Sequence, residues 1–342
     1  MGIKNLNSIL LKKGIPIYRK KMYELKMSIV AIDFSLFYYR FLYNKNNPVE
    51  CFLKQITMFF KHNILPLYVL DGTAPVAKQF ILEKRNSKRQ KIIDELNILS
   101  QYSPSDFDSN EDILKKRIEK LEKKCIKFNS EDLNKLVTFF NLLGIPVIST
   151  NYESDWILSI LSKEKLVDYV LSEDSDLLTF GTKRIIRNFS LMNESFNLYE
   201  LDEILHYLRI SHEQLVEISI LCGCDYCSKI KCYTCYESFE NIQKYGSIEN
   251  LYKKNIIKEN EYNRFLNVKK IFLKKPTDGL KNELKELIVK EEFDFENLEK
   301  FLTESIPNKN YLIDNFIYVC KNFIHYKTRT TGILDKILKK NK

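Results

Sequence analysis

The sequence predicts an α/β fold: a mostly parallel, twisted sheet flanked by helices, with a helical arch inserted into it and further helices beyond. Five short apolar runs rich in β-branched residues stand between residues 28 and 188. Four of them lead into acidic residues. The segments between them carry apolar residues at three- and four-residue spacing, the period of an amphipathic helix. Strand–helix–strand alternation is satisfied by parallel pairing with crossover helices on both faces.

Taken in order, residues 28–33 (SIVAID) form the first strand and end on Asp33. Residues 36–42 and 49–62 have helical spacing, and 66–71 (PLYVLD) is the second strand, followed by Gly72. Residues 75–129 are long, charged and helical in pattern, broken by Ser103-Pro104-Ser105 and a polar run over 106–110. They contain no strand pattern and read as a helical insertion over the sheet, the position of the arch in the family that the motifs below resemble. A helix over 130–143, a strand over 145–149 (IPVIS) and a helix over 155–162 follow. The fourth and fifth strands are 167–171 (VDYVL), leading to Asp174 and Asp176, and 184–188 (RIIRN). Beyond Ser211 the pattern is helical, with a dense turn over 223–235 that reads as a helix-turn-helix. The expected organisation is an N-terminal region 1–105 carrying the arch, an internal region 130–255, and a helical region 256–342 ending in a loosely held basic tail.

With 342 residues, 44% hydrophobic and 29% charged, the chain has the composition of a soluble globular protein. The net charge of +9 leans toward a polyanionic partner, but charge alone fits a solvated surface equally well. No apolar run is long enough for a membrane span. The first residues lack the apolar stretch of a secretory signal, and Leu6 replaces the Ser or Thr that myristoylation of Gly2 would want. The expected setting is the nucleus, or the cytoplasm if the chain serves a viral replication factory, with the protein a monomer. In such reducing compartments the eight cysteines are not a disulfide framework.

Seven carboxylates carry the chemistry: Asp33, Asp71, Glu153, Asp155, Asp174, Asp176 and Asp225. A single Asp after a strand is usually a cap or turn residue. Joint placement after four strands, plus one after Gly223, is different, because parallel sheets gather their sites at carboxyl strand ends. So many like charges need compensation, and oxygen-only ligands select hard cations, Mg2+ or Mn2+. Two such ions about 4 Å apart activate water and stabilise the leaving oxygen of a phosphodiester.

Lys78, Arg85 and Arg89 are spaced by seven and four and share one helical face next to the segment after Asp71. A Lys and an Arg from this face, beside a metal cluster, can clamp the scissile phosphate, while a bare charge run equally describes a solvated helix face. A second basic run between Lys115 and Lys127 fits a single-stranded backbone or an ordinary surface paired with Glu119 and Glu122. Of Phe37, Tyr38 and Tyr39, an aromatic pointing outward is suited to stacking on a base.

An ordered series of motifs resembles the flap endonuclease group of the XPG-type structure-specific nucleases, which have a PIN-like fold. The series runs MGIKNL at residues 1–6, AIDFS at 31–35, YVLDGTAP at 68–75, Gly144 to Pro146 with Glu153 and Asp155, SEDSDLLTFG at 172–181 and LCGCDYC at 221–227. IQKYGSIENL at 242–251 continues it. The resemblance implies a two-metal, Mg-dependent endonuclease cutting branched DNA with a 5′ flap in replication and repair. It makes Asp155 a substitute for the usual Glu, Lys78 and Arg85 the phosphate-contacting pair, Tyr39 the base-stacking aromatic and Gly2 a residue near the cut. Arg89, Lys229 and Lys231 join the expected DNA contacts. The alternatives are a 5′–3′ exonuclease or junction resolvase on this scaffold, a non-catalytic DNA-binding factor, or an RNA-degrading relative.

Beyond Asp155, the sequence departs from the family in the hairpin and in the tail, and it carries a cysteine cluster. The glycines of its duplex-gripping, potassium-holding hairpin are replaced by SKIKCYTC at 228–235, with Lys229 where a potassium ligand is expected. The sliding-clamp motif reduces to TGILDKIL at 331–338, lacking its Gln and both aromatics, so clamp binding is weakly supported. Cys224, Cys227, Cys232 and Cys235 form C-x2-C-x4-C-x2-C, which admits a structural zinc, although the short central gap favours packed thiols. If Lys229 supplies the charge that potassium gives elsewhere, duplex binding is insensitive to K+ and weakened by Lys229→Ala. An ordinary K+ dependence in a filter-binding titration removes the idea.

Overall fold

The computed structural model describes residues 3, 5–73, 78–99, 111–126, 129–229, 234–288 and 293–329. After helix α1 (Leu6–Lys12) come edge strand β1 (Tyr18–Lys21), β2 (Ile29–Asp33), α2 (Phe34–Tyr43), α3 (Pro48–Lys61) and β3 (Leu65–Val69). The arch contributes α4 (Gln79–Leu99) and α5 (Glu111–Lys124). Next are α6 (Ser130–Leu142), β4 (Val147–Ile148), α7 (Ser154–Lys163), β5 (Tyr169–Leu171), α8 (Asp176–Phe180), β6 (Arg184–Ser190) and β7 (Ser195–Glu200). The remainder is helical: α9 (Leu201–Leu208), α10 (His212–Cys222), α11 (Cys235–Tyr245), α12 (Ile248–Lys253), α13 (Glu259–Phe272), α14 (Asp278–Leu287), α15 (Phe295–Ser305) and α16 (Asn310–Arg329).

The seven-stranded sheet has the order β1-β7-β6-β5-β2-β3-β4. From β6 to β4 every pairing is parallel, and these are the five strands expected from the sequence. β7 and β1 extend one edge in antiparallel pairing and were not expected. β1 reads YRKK and is largely exposed, so no hydrophobic alternation marks it. Its place is set by main-chain pairing, with Tyr18 opposite Leu198.

All five residues of β2 are buried, with helices on both sides. Ile29 and Ala31 face one core, built with α1, α7, α8 and α9 to α14. Val30 and Ile32 face the other, built with α2, α3, α6, α15 and α16. The second core is strongly aromatic: Tyr68 stacks on Phe140 with centroids 4.3 Å apart, and Phe34 on Phe52 at 5.3 Å. Residues beyond 256 divide between the two layers. Phe272 and Leu284 close the first core, and Leu302, Phe316 and Phe323 close the second.

Helix starts place the strand ends firmly. Asp33 ends β2 and also caps α2, accepting from the Leu36 amide at 3.3 Å. Asn47 caps α3 with Pro48 in its first turn. In the arch, Arg117 of the second basic run pairs with Glu95 at 2.6 Å, while Glu122 is reached at 3.5 Å by Lys45, from the loop after α2.

Gly72, just past β3, is where two strand-end loops cross. Its amide donates to the Tyr152 carbonyl at 3.0 Å. A Cβ there would stand 2.1 Å from the Thr150 carbonyl oxygen and 2.5 Å from that of Tyr152. Both obstacles are main chain and cannot rotate away. Gly72→Ala should therefore lower Tm by about 5 °C or more, read by differential scanning calorimetry. An unchanged Tm would mean the two loops separate freely.

Candidate active site

The acidic residues lie where the parallel strands end. Asp33 terminates β2, Asp71 follows β3, and Glu153 and Asp155 sit at the start of α7 after β4. Asp174 and Asp176 follow β5, and Asp225 lies in the turn after α10. Gly223 allows that turn, ending α10 at φ +89° with Lys229 packed against it. Across the turn the Cys224 amide donates to the Cys227 carbonyl at 3.0 Å.

Short polar contacts stitch these positions together. The Ser172 hydroxyl donates to Asp33 Oδ2 at 2.9 Å, joining the ends of β2 and β5. The Ser154 hydroxyl donates to Asp71 Oδ1 at 2.5 Å, joining those of β3 and β4. Tyr226 donates its phenol proton to Glu153 Oε2 at 2.7 Å, and Lys78 reaches Glu153 Oε1 at 2.5 Å. Lys78 also faces Asp225 at 3.9 Å, and Arg85 donates to Asp225 Oδ2 at 2.6 Å. The ammonium at the foot of the arch thus bridges carboxylates from two distant segments.

The electrostatics are those of crowded acids short of water. Burial, and then the charge of Asp71, pushes the Asp33 carboxyl up to about 7. Burial, reinforced by Asp174, Asp33 and Asp176, holds Asp155 well above the carboxylate range. Asp176 is raised by burial and by Asp174, and its Oδ1 is buried with no hydrogen-bond partner. Burial disfavours the charged form of Lys78, but Glu153, Asp155 and Asp225 outweigh it and hold the ammonium above its ordinary value.

Among the described residues, no three acidic, His or Cys side chains already converge as a metal-holding group. The donor chemistry nevertheless fits a hard divalent cation: the set is all oxygen, burial and neighbouring acids disfavour the charged forms of Asp33, Asp155 and Asp176, and Asp176 Oδ1 has no hydrogen-bond partner.

The expected contact residues fall in several places. Tyr39 projects from α2, 42% exposed, with Asp71 and Arg89 within electrostatic reach. Arg89 donates to the Cys125 carbonyl at 2.6 Å, just past α5. Lys229 is exposed at the edge of the Asp225 turn. Gly2, Lys231, Cys232 and the 331–338 segment lie outside the described residues. The three described members of the zinc candidate do not converge: Cys224 and Cys227 face each other, while Cys235 points to the Cys222 carbonyl at 3.9 Å. The cause is the start of α11, which carries Cys235 toward α10 instead of into the turn.

Sequence reasoning passed over Ser154, Ser172, Tyr226 and Arg187. Arg187, on β6, donates to the Glu173 carbonyl at 2.7 Å and to Asn7 at 3.1 Å, fixing the loop that bears Asp174. Ile3 donates its amide to Ser175 Oγ in that same loop at 2.9 Å. Tyr226 stands inside the CDYC string, so proximity to Asp225 was its one signal.

An all-oxygen acidic cleft at the carboxyl ends of a parallel sheet, faced by a Lys and an Arg, is the site of a phosphoester hydrolase. The XPG N-terminal domain profile matches residues 1–92 and the XPG I-region profile residues 144–225. Flap endonuclease 1 of Micromonas commoda is 31% identical over 273 residues, 73% of this chain and 68% of that protein. The chain belongs to the flap endonuclease family of XPG-type nucleases. In fold it is similar to the catalytic core of Rad2 in complex with DNA substrate, at a TM-score of 0.69 and 19% identity, covering 93% of this chain and 100% of that one. It is also similar to the Holliday junction-resolving enzyme GEN1 in complex with product DNA, Mg2+ and Mn2+ ions, at a TM-score of 0.64 and 14% identity, covering 95% and 81%.

The Asp33 shift carries a pH signature. Its carboxyl binds a proton up to about pH 7 when folded but loses it from the ordinary value of 3.8 when unfolded. The stabilisation from the neutral form is complete below the unfolded value and is lost as pH rises through the folded one. In EDTA at pH 8, Asp33→Asn, which keeps the helix cap acceptor, should melt a few degrees above the unsubstituted protein. The difference should shrink toward pH 4. Equal melting at pH 8 would show that the cleft holds this charge without strain.

Proposed function

We propose that the protein is a divalent-metal-dependent, structure-specific endonuclease that hydrolyses a phosphodiester of branched DNA at a 5′ flap. The observation that supports this most is Lys78, which pairs with Glu153 and approaches Asp225 at the mouth of the acidic cleft. A cation so placed meets a phosphate at the same point where the acids would hold metal.

Asp33, Asp71, Glu153 and Asp155 would hold one Mg2+, and Asp174, Asp176 and Asp225 the other, with Mn2+ as a substitute. Bound there, the ions supply Lewis acidity and offset the charge of the attacking and leaving oxygens. The chain's own groups do the positioning. Ser172 holds Asp33 through Oδ2 and Ser154 holds Asp71 through Oδ1. Tyr226 orients Glu153. A phosphate entering the cleft competes with Glu153 and Asp225 for Lys78 and Arg85, whose charges then bear on its non-bridging oxygens. Arg85, with its side chain 44% exposed, has room to turn. Tyr39 offers a ring for the adjacent base. The DNA in the Rad2 and GEN1 structures supports a nucleic-acid substrate. GEN1 also keeps junction resolution as the second reading of the same site.

The test is incubation with labelled 5′-flap, nicked, blunt, four-way-junction and single-stranded DNA, with Mg2+ and with EDTA. Flap cleavage should require Mg2+, be abolished by Asp174→Ala and fall about a hundredfold in single turnover with Lys78→Ala. Cleavage that persists in chelator or in Asp174→Ala overturns the metal mechanism, and preference for the four-way junction favours the second reading.

A further inference from the structure

Beside the acidic cleft lies a patch that the chemistry above leaves unused. Tyr152 immediately precedes Glu153 and is 39% exposed. Lys274, just past α13, holds its ammonium 5.0 Å from the centroid of the Tyr152 ring and 4.4 Å from that of Trp156. Trp156 is nearly buried, packs edge-on against Tyr152 at 4.8 Å and donates its indole proton to the Lys274 carbonyl at 3.3 Å. The three side chains therefore fix one another.

The main chain beneath them is fixed too. The Tyr152 carbonyl accepts from Gly72, and that of Asn151 accepts from the Thr73 hydroxyl at 2.6 Å. Both donors lie where the chain leaves β3 for the arch. Among the described residues no carboxylate pairs with Lys274, and Lys275 beside it is exposed. Covering Trp156 would account for the lysine stem alone. It does not account for a tyrosine ring left partly exposed one residue from the cleft, with a cation over it.

We propose that Tyr152 and Lys274 bind an unpaired nucleotide of the single-stranded 5′ arm, its base stacked on the Tyr152 ring and its phosphate on the Lys274 ammonium. Aromatic rings and ammonium groups take single strands in this way without reading sequence. The site rests on the nuclease reading, since it requires a single strand that leaves the cleft.

Trp156 is the only tryptophan of the 342 residues, so its emission reports on this patch directly. The full chain, in EDTA, is titrated with fluorescein-labelled oligodeoxythymidylate, following label anisotropy and, with an unlabelled oligonucleotide, Trp156 emission. In Mg2+, KM and kcat are then measured on flapped and flapless duplexes and on a flap with abasic residues in its arm. The oligonucleotide should change the emission, and Tyr152→Leu and Lys274→Met should each raise its binding midpoint about tenfold, with Tyr152→Phe like the unsubstituted chain. KM for the flapped duplex should rise by the same factor with kcat unchanged, and the abasic arm should erase the effect of Tyr152→Leu. Wild-type midpoints in both Tyr152→Leu and Lys274→Met overturn the proposal, even where cleavage is intact. Should Tyr152→Leu melt early, the exposed Lys274→Met carries the comparison. Absence of all cleavage overturns the nuclease reading instead, while the titration in EDTA still decides the stacking site.

Discussion

Like-charged carboxylates gathered into one poorly hydrated cleft are the constraint from which the rest of the structure follows. A carboxylate deprived of water must gain a cation, gain hydrogen bonds or take up a proton. All three occur here. Lys78 and Arg85 supply cations to Glu153 and Asp225, serine and tyrosine hydroxyls supply hydrogen bonds, and burial pushes Asp33, Asp155 and Asp176 toward their neutral forms. The cleft is thus a destabilised element maintained by the scaffold, as functional sites often are.

The scaffold resists that repulsion by joining strand ends in pairs. Ser172 ties β5 to β2, Ser154 ties α7 to the end of β3, and Gly72 lets the β3 and β4 exits cross at main-chain contact. Behind them lie two continuous cores, one on each face of the sheet. Helices from the last quarter of the chain enter both, so the region beyond residue 256 helps hold the plate that bears the acids.

The arch is bound to this charge balance. Lys78 and Arg85 stand at its foot, paired to the acids, while Arg89, one turn on from Arg85, instead closes the arch onto the end of α5. Placement of the arch and charge in the cleft are therefore one electrostatic problem. A polyanion entering the cleft meets cations already positioned by the residues it must displace.

Much of this was legible in the sequence, for physical reasons. β2 is buried on both faces and β3 nearly so, and they read as apolar runs; β6 keeps a buried pair, Ile185 and Ile186, between exposed ends; and the helices between the strands keep their period. The acids were readable because parallel strands end together: Asp33, Asp71, Glu153 and Asp174 each follow a run that the pattern marks as a strand. β1 was not legible, since an exposed edge strand is defined by its partner and not by its side chains. Nor were the roles of Ser154, Ser172 and Tyr226, because a hydroxyl donates to whatever acceptor the fold brings near. The cysteine spacing allowed a four-thiol set, and the helix that starts at Cys235 sent that thiol to Cys222 instead. What the sequence alone determined was the five parallel strands, the acids that follow them and the family to which the chain belongs. Tertiary structure alone decided which polar groups share each acid, which cations face the cleft and where Tyr152 meets Lys274, because these contacts join residues far apart in the chain and depend on distances that no local pattern records.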